Sequence, residues 1–376
     1  MTGHSVTLLP GEGIGPEVVE GARRVIDAAT TAAIIWERHE IGRSAYLKYG
    51  TPLPDDAVRS VIRTGVALKG PVATPAEQGL YRSVNVALRQ PLGLFAQIRP
   101  VRSWPGLHTP QGLDIVVTRE LTEDLAAGIE FGRGTQDALS LIEMVAASTD
   151  RRLHETTAFG LKPISEHATR RYFEWLLAWV RQAGRHRITI AHKATVQRAA
   201  DGLFLEIGHE VAGAWPDVEV EDRLVDALCA DLVRSPGSFD VIAAPALYGD
   251  IISDVAAAVT GGLGLAPGAN FGAGAVVFEA AHGTVPKHVG KNLVDPVAMV
   301  LTGALLLRHI GELEAADRVV EAVGVVLASG DGLTYDLSSR SGSPTIGTAE
   351  MIDRILEQLG PKSAGPVVPG PTRTEA

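Results

Sequence analysis

The stretch ALYGDIISDVAAAV, residues 246–259, places Asp250 and Asp254 four apart in an otherwise apolar run. Ile251, Ile252, Val255, Ala256 and Val259 recur at helical spacing, which predicts a helix packed on a core. Residues four apart share a helix face with Cβ atoms roughly 5–6 Å apart. Two carboxylates there repel, more strongly when desolvated, and require something positive between them. A third acid, Asp226, stands in the apolar helical run DRLVDALCADL. Oxygen donors of this kind suit Mg2+ or Mn2+, which take one or two carboxylates together with substrate oxygens and water.

Residues 81–119 hold Arg82, Arg89, Arg99, Arg102 and Arg119 against one acid, Asp114, in a chain of formal charge −10. Arg99 and Arg119 close apolar strand-like runs, where strand ends open onto ligand crevices in α/β sheets. Guanidinium forks recognise carboxylates bidentately, so the expected ligand is a small polyanion. ITIAHKATV sets His192 and Lys193 at the end of a buried strand. A lysine there either snorkels to solvent or, desolvated near a metal, has a lowered pKa and serves as a general base. PGEGIGPE at 10–17 reads as a glycine-rich turn pinned by packing rather than a dinucleotide fingerprint. Its spacing is G-x-G-x-G, and no acid closes a second strand about 20 residues on.

The elements that must position these residues alternate. Strand-like runs are SVTLLPG, GVALKG, DIVVTRE, RITIAHK, DVIAAP and GAVVFEAAHG, and PEVVEGARRVIDAAT follows the first as a helix with Pro16 in its first turn. Helical patterns cover 166–183, 198–212, 221–234, 296–310 and 312–328, so the fold class is α/β. A length of 376 residues fits two linked domains or one large α/β unit. The acidic balance argues against nucleic-acid or acidic-membrane binding. A single cysteine, Cys229, excludes an internal disulfide and a cysteine-built metal site. With no secretory signal pattern and a longest apolar run of 11 residues at 297–307, the reading is a soluble cytoplasmic protein.

In order along the chain, GEGIGPE, LKGP, RSVNVALR, IRP, TRELTED…AGIE, HKATVQRAADGLF, LYGDIISD, GGLGLAPGAN, FEAAHGTVPKHVG and LTYDL resemble the β-decarboxylating dehydrogenases. These are the isocitrate and isopropylmalate dehydrogenases, and the resemblance covers residues 5–358. SVNVALRQ, GLKPISE and HGTVPKHVG are most similar to the NADP-dependent bacterial isocitrate branch. The resemblance implies the isocitrate/isopropylmalate dehydrogenase-like fold, which is not a Rossmann fold. It further implies a large cofactor-binding domain (1–94 and 261–360) and a smaller substrate, metal and dimerisation domain (95–260), while the Pro/Gly/Ser/Thr-rich, aperiodic composition of 361–376 reads as a disordered tail.

By the same resemblance, Ser83, Asn85, Arg89, Arg99 and Arg119 hold the carboxylates of an isocitrate-like substrate. Asp226, Asp250 and Asp254 ligate Mg2+ or Mn2+. Lys193 and Asp226 are the catalytic pair and reach into the partner's site of a homodimer. Lys193 accepts the hydroxyl proton while hydride leaves for the nicotinamide, and the metal stabilises the enolate left by CO2. NADP or NAD is held by Thr74, His282, Gly283, Thr284, Lys287, His288, Asp295 and Tyr335. Lys287 and Tyr335 favour NADP, because a lysine and a phenol can hold a 2′-phosphate that an acid would repel.

Four positions depart from the family pattern. Ala126 stands where a tyrosine that protonates the enol carbon is usual, and Thr195, Ala246 and Asp295 stand where asparagine is usual. Three readings follow: a working dehydrogenase whose enol is protonated by water or another group, a specialised-metabolism relative acting on an unusual 2-hydroxy acid, and a non-catalytic regulatory subunit. Retention of the three aspartates, Lys193 and the arginines favours the active enzyme. Tyr81, just before RSVN, reads more simply as a packed aromatic than as a replacement acid.

Overall fold

The computed structural model describes residues 3–73, 81, 83–338 and 345–360. The chain opens with β1 (His4–Leu9), α1 (Gly15–Ala29), β2 (Ile34–Arg38), α2 (Arg43–Tyr49), α3 (Asp55–Thr64) and β3 (Val66–Lys69). The short α4 (Val84–Arg89) leads into the long strands β4 (Leu94–Arg102) and β5 (Asp114–Glu120). A small antiparallel pair, β6 (Glu130–Phe131) with β7 (Phe159–Gly160), brackets α5 (Gln136–Ser148). Next come α6 (Glu166–Gln182), β8 (Arg187–His192), α7 (Ala200–Ala212), β9 (Glu219–Leu224), α8 (Val225–Arg234), β10 (Val241–Ala244) and α9 (Ala246–Thr260). The chain then returns through β11 (Ala269–Gly272), β12 (Val276–Glu279), α10 (Val297–His309), α11 (Leu313–Ser329), α12 (Tyr335–Ser338) and α13 (Thr348–Leu359).

Among the described residues ten strands form one sheet in the order β2-β1-β3-β12-β11-β4-β5-β10-β8-β9. Each flank is parallel, and the junction β12-β11-β4-β5 is antiparallel. This α/β sheet is not a Rossmann sheet. Its inner strands are mostly buried, and β10 is apolar and buried at all four positions. The edge strand β9 carries Glu219, Glu221 and Arg223, charges that discourage further strand addition. Residues 221–224 therefore belong to β9, where the sequence pattern predicts helix from 221, and α8 starts at Val225.

Helix α1 shows why the pattern works. Val18, Val19, Ala22, Val25 and Ile26 fall on one face and are buried, each larger aliphatic chain contributing about 1.5–3 kcal/mol. Gly303 lets the almost wholly buried α10 approach that face, because a Cβ there would lie 2.7 Å from the Ile26 side chain. The GEGIG turn between β1 and α1 is also a packing device. Gly11 and Gly13 adopt φ of +74° and +62°, and Cβ atoms on them would strike the carbonyls of Pro71 and Thr284. Its amides are spent within the protein, Glu12 N donating to Pro71 O and Ile14 N to Thr284 O.

Among the described residues no helix is long and apolar enough to cross a membrane. Thr74, Arg82 and the tail 361–376 lie outside the described residues.

Candidate active site

Helix α9 packs Ile252, Ala256 and Ala257 into a core shared with Val117 of β5 and Ile242 of β10. Gly249 permits this close approach, since a Cβ there would lie 2.4 Å from that of Arg119. The opposite face presents Asp250 and Asp254, about half exposed. The positive group between them is a guanidinium: Arg99 Nη1 lies 3.2 Å from an oxygen of each aspartate and donates to Ser253 Oγ at 2.6 Å. Arg119 Nη1 is 2.9 Å from Asp250. Burial raises the Asp254 carboxyl above its ordinary range, with Arg99 pulling against it and Asp250 adding to it. Arg99 sits inside β4 rather than at its end as the sequence pattern suggests, while Arg119 is the penultimate residue of β5.

Behind the arginines runs a buried polar chain that the motifs alone did not flag. Arg119 Nε donates to Gln97 Oε1 at 2.6 Å, and Gln97 Nε2 to Asn270 Oδ1 at 2.8 Å. Asn270 Nδ2 donates to Glu279 Oε1 at 2.9 Å, and Glu279 pairs with Lys69. Burial alone would raise the Glu279 carboxyl, but Lys69 outweighs it and holds the group at about 2. Asn85 and Arg89 of α4 line a crevice with Lys69 and Glu279, and Asn85 Oδ1 has no partner there. Burial lowers the Arg89 guanidinium, opposed by Glu279 and Asp250. Ser83 precedes α4 and makes no side-chain cap bond. Asn85, Arg89, Arg99 and Arg119 thus form a cationic and polar recess whose guanidinium donors suit carboxylate oxygens.

Lys193 directly follows β8. Its amide donates to the fully buried Asp201 at 2.6 Å, and the Ala194 amide donates to His192 Nδ1 at 3.1 Å. These two bonds fix the turn and aim the lysine, whose ammonium pairs with Asp226 in the first turn of α8. The hydrogen bond from Lys193 lowers the Asp226 carboxyl. This pair does not meet Asp250 and Asp254: among the described residues no three acids of one chain come together as a metal-binding group.

The residues after β12 form a second region. His282 is largely buried, its Nε2 lacks a partner, and burial lowers its pKa. Gly283 and Thr284 follow, the Thr284 carbonyl anchoring the GEGIG turn. Val285 has φ +41°, a left-handed conformation costly for a β-branched residue, and it starts the turn that exposes Lys287. His288 Nε2 lies 3.3 Å from Tyr335 Oη with the rings 5.2 Å apart. Asp295 is buried, and one carboxylate oxygen accepts from the Val297 amide at 2.9 Å. Burial, with Asp336 nearby, pushes its carboxyl well above the ordinary range. That shift favours the protonated form, which can donate as well as accept, as an asparagine side chain does. The unmet polar atoms of His282 and Asp295 fit a nucleotide's edges.

Ala126 lies in the turn Asp124–Ala127, held by Asp124 Oδ2, which accepts from the Leu247 amide at 2.8 Å. Tyr81 packs against Tyr46 with ring centroids 5.1 Å apart and the planes tilted by 44°.

The signature of the Isocitrate/isopropylmalate dehydrogenase family matches residues 5–355. The chain is 38% identical to "Isocitrate dehydrogenase [NADP]" of Archaeoglobus fulgidus, covering 93% of this chain and 91% of that protein. It is 39% identical to "Isocitrate dehydrogenase [NAD] subunit 2, mitochondrial" of Schizosaccharomyces pombe, covering 95% and 88%. The crystal structure of isocitrate dehydrogenase from Methylococcus capsulatus matches with a TM-score of 0.86 at 40% identity, over 95% of this chain and 99% of that one. With the fold, the arginine–aspartate recess and these likenesses in agreement, the chain belongs to the isocitrate/isopropylmalate dehydrogenase family of NAD(P)-dependent decarboxylating dehydrogenases.

Proposed function

We propose that this chain carries out metal-dependent oxidative decarboxylation of isocitrate, or a close 2-hydroxy polycarboxylic acid, with NADP as the hydride acceptor. The observation that carries this reading is the Arg99–Arg119 pair held against Asp250 and Asp254. Arg89, Arg99 and Arg119, with Ser83 and Asn85, hold the substrate carboxylates. Arg99 and Arg119, which engage Asp250 and Asp254 in the free chain, would turn to the substrate carboxylates and leave the two aspartates to hold Mg2+ or Mn2+. Lys193 takes the proton of the C2 hydroxyl as hydride leaves that carbon. A bound divalent cation would supply Lewis acidity at the resulting carbonyl and so favour loss of CO2. His282, Gly283, Thr284, Asp295 and Tyr335 hold the nucleotide, with Thr74, and Lys287 meets a 2′-phosphate.

Lys193 and Asp226 lie apart from Asp250 and Asp254 within one chain, so a second copy supplies them. Ile251 on α9, 52% exposed, and Met144 on α5, 56% exposed, are apolar side chains that such a copy would cover. In this reading residues 1–94 with 261–360 form the cofactor-binding domain, and 95–260 the substrate and dimerisation domain. Ala126 alone favours a second reading, a non-catalytic subunit.

Steady-state assays with isocitrate, homoisocitrate, isopropylmalate and tartrate, each with NADP and NAD, test the assignment. Asp250→Asn should abolish turnover and leave the fold intact. Full activity of the parent in excess chelator would refute the metal role.

A further inference from the structure

A cavity of about 290 Å3 opens between β4, α10 and the turn at Leu263–Leu265, near the small end of the range for ligand pockets. Strand alternation turns Pro100 and Arg102 away from the face of β4 that carries Arg99, so this cavity is separate from the substrate recess. Its wall is apolar, built from Leu265, Leu301, Ala304 and Leu305. Three guanidiniums stand at it, and two are neutralised: Arg185 by Asp114 and Asp240, Arg308 by Asp317. Arg102 differs. It is exposed, stacks over Trp104 at 4.6 Å, and makes no ion pair among the described residues. Trp104 is 1% exposed, and its indole Nε1 has no acceptor.

An apolar wall beside one uncommitted cation selects for a ligand with a compact hydrophobic body and a single negative charge. The buried indole adds to this, since stacking on Trp104 holds the guanidinium flat beside the cavity. A polycarboxylate such as the substrate would leave charge unmatched against the leucines. We propose that this cavity binds a small amphipathic anion, its aromatic or branched aliphatic body against α10 and its carboxylate or sulfonate on Arg102.

The test uses 8-anilinonaphthalene-1-sulfonate, an amphipathic anion whose fluorescence rises on leaving water, titrated into the full-length chain. Saturable binding is expected. Arg102→Glu, at an exposed position, should weaken it about tenfold, the value of one charge-assisted contact. Leu305→Trp should fill the cavity and remove the binding. 4-Phenylbutyrate should displace the probe at roughly a tenth of the concentration needed for 4-phenylbutanol. Near-ultraviolet circular dichroism reports whether Leu305→Trp remains folded, and if it does not, Arg102→Glu and the competition decide. No probe binding, an affinity unchanged in Arg102→Glu, or equal displacement by acid and alcohol would overturn the proposal.

Discussion

Arg119→Met removes a charge from the recess while keeping an unbranched side chain to fill the space. Arg119 is 8% exposed, and burial, with Arg99 adding to it, drives its guanidinium from 12.5 down to about 9. At 1.36 kcal/mol per pH unit, keeping the charged form buried costs the folded chain about 5 kcal/mol. Methionine relieves that cost but forfeits the bonds to Gln97 Oε1, the Ala246 carbonyl and Asp250. An acceptor deprived of its donor at a buried site costs about 1–3 kcal/mol, and Gln97 Oε1 and the Ala246 carbonyl are two, together about 2–6 kcal/mol. Asp250 is not stranded, because it is half exposed and keeps Arg99 at 3.2 Å. The opposing terms nearly cancel, so thermal stability should stay within about 2 kcal/mol of the parent.

Catalysis has no such compensation. A substrate carboxylate without its cation loses about 2–5 kcal/mol, or roughly 30-fold to several thousand-fold in kcat/KM. The assay is kcat/KM for isocitrate with NADP beside a thermal melt of the same sample. A variant within threefold of the parent would refute a substrate carboxylate at Arg119. One that unfolds at room temperature would refute the energetic cancellation.

Three further outcomes are expected. Asp295 holds a proton in the folded chain that the unfolded chain releases, so its stabilisation is full below about pH 4 and is lost as pH rises toward its raised folded value. Asp295→Asn lacks this dependence, so its melting temperature should gain on the parent's from about pH 4 upward, and a flat difference to pH 8 would contradict it. Lys193→Met should leave the melt unchanged, because its ion pair with Asp226 is open to solvent, yet lower kcat on the order of 10²–10⁴-fold. Ala126→Tyr returns a phenol to the turn and should raise kcat on isocitrate. No gain, with no cofactor reduction by the parent on any 2-hydroxy diacid or triacid, would favour the regulatory-subunit reading.

The helices and inner strands were legible because their burial pattern is periodic. Asp250 and Asp254 could be placed on one face of α9 from spacing alone, and the packing role of GEGIG followed from its misfit to a nucleotide fingerprint. β4 was harder to read, because Pro100 and two arginines interrupt its apolar run, and Arg99 was consequently placed at a strand end. The run from 221 reads as helix because the edge position leaves residues 221–223 of β9 polar. The chain Gln97–Asn270–Glu279–Lys69 spans strands far apart in sequence, and no local motif announces a network closed by the register β4-β11-β12-β3. Its one local trace was a lysine ending the apolar run VALK. The turn that aims Lys193 depends on Asp201, eight residues on, a contact that spacing does not specify.

The four departures from the family pattern are unequal in chemical weight. Ala246 replaces an asparagine at a position whose backbone carbonyl, not its side chain, receives Arg119, so the arginine keeps its partner. Thr195 is exposed in the turn after Lys193, whose geometry rests on the His192 and Asp201 bonds instead. Asp295 exchanges an amide for an acid whose protonated form burial favours, and that form can still donate and accept. None of the three adds a charge to the recess or removes one. Ala126 alone removes an ionisable group, and the turn that carried it survives through Asp124 and Leu247. On the proposed function, the turn that sets Lys193, held by the Asp201 and His192 bonds, serves catalysis rather than binding alone. On that same reading the departures therefore bear on one proton transfer, the last in the sequence, and leave Lys193, the aspartates and the arginines in place.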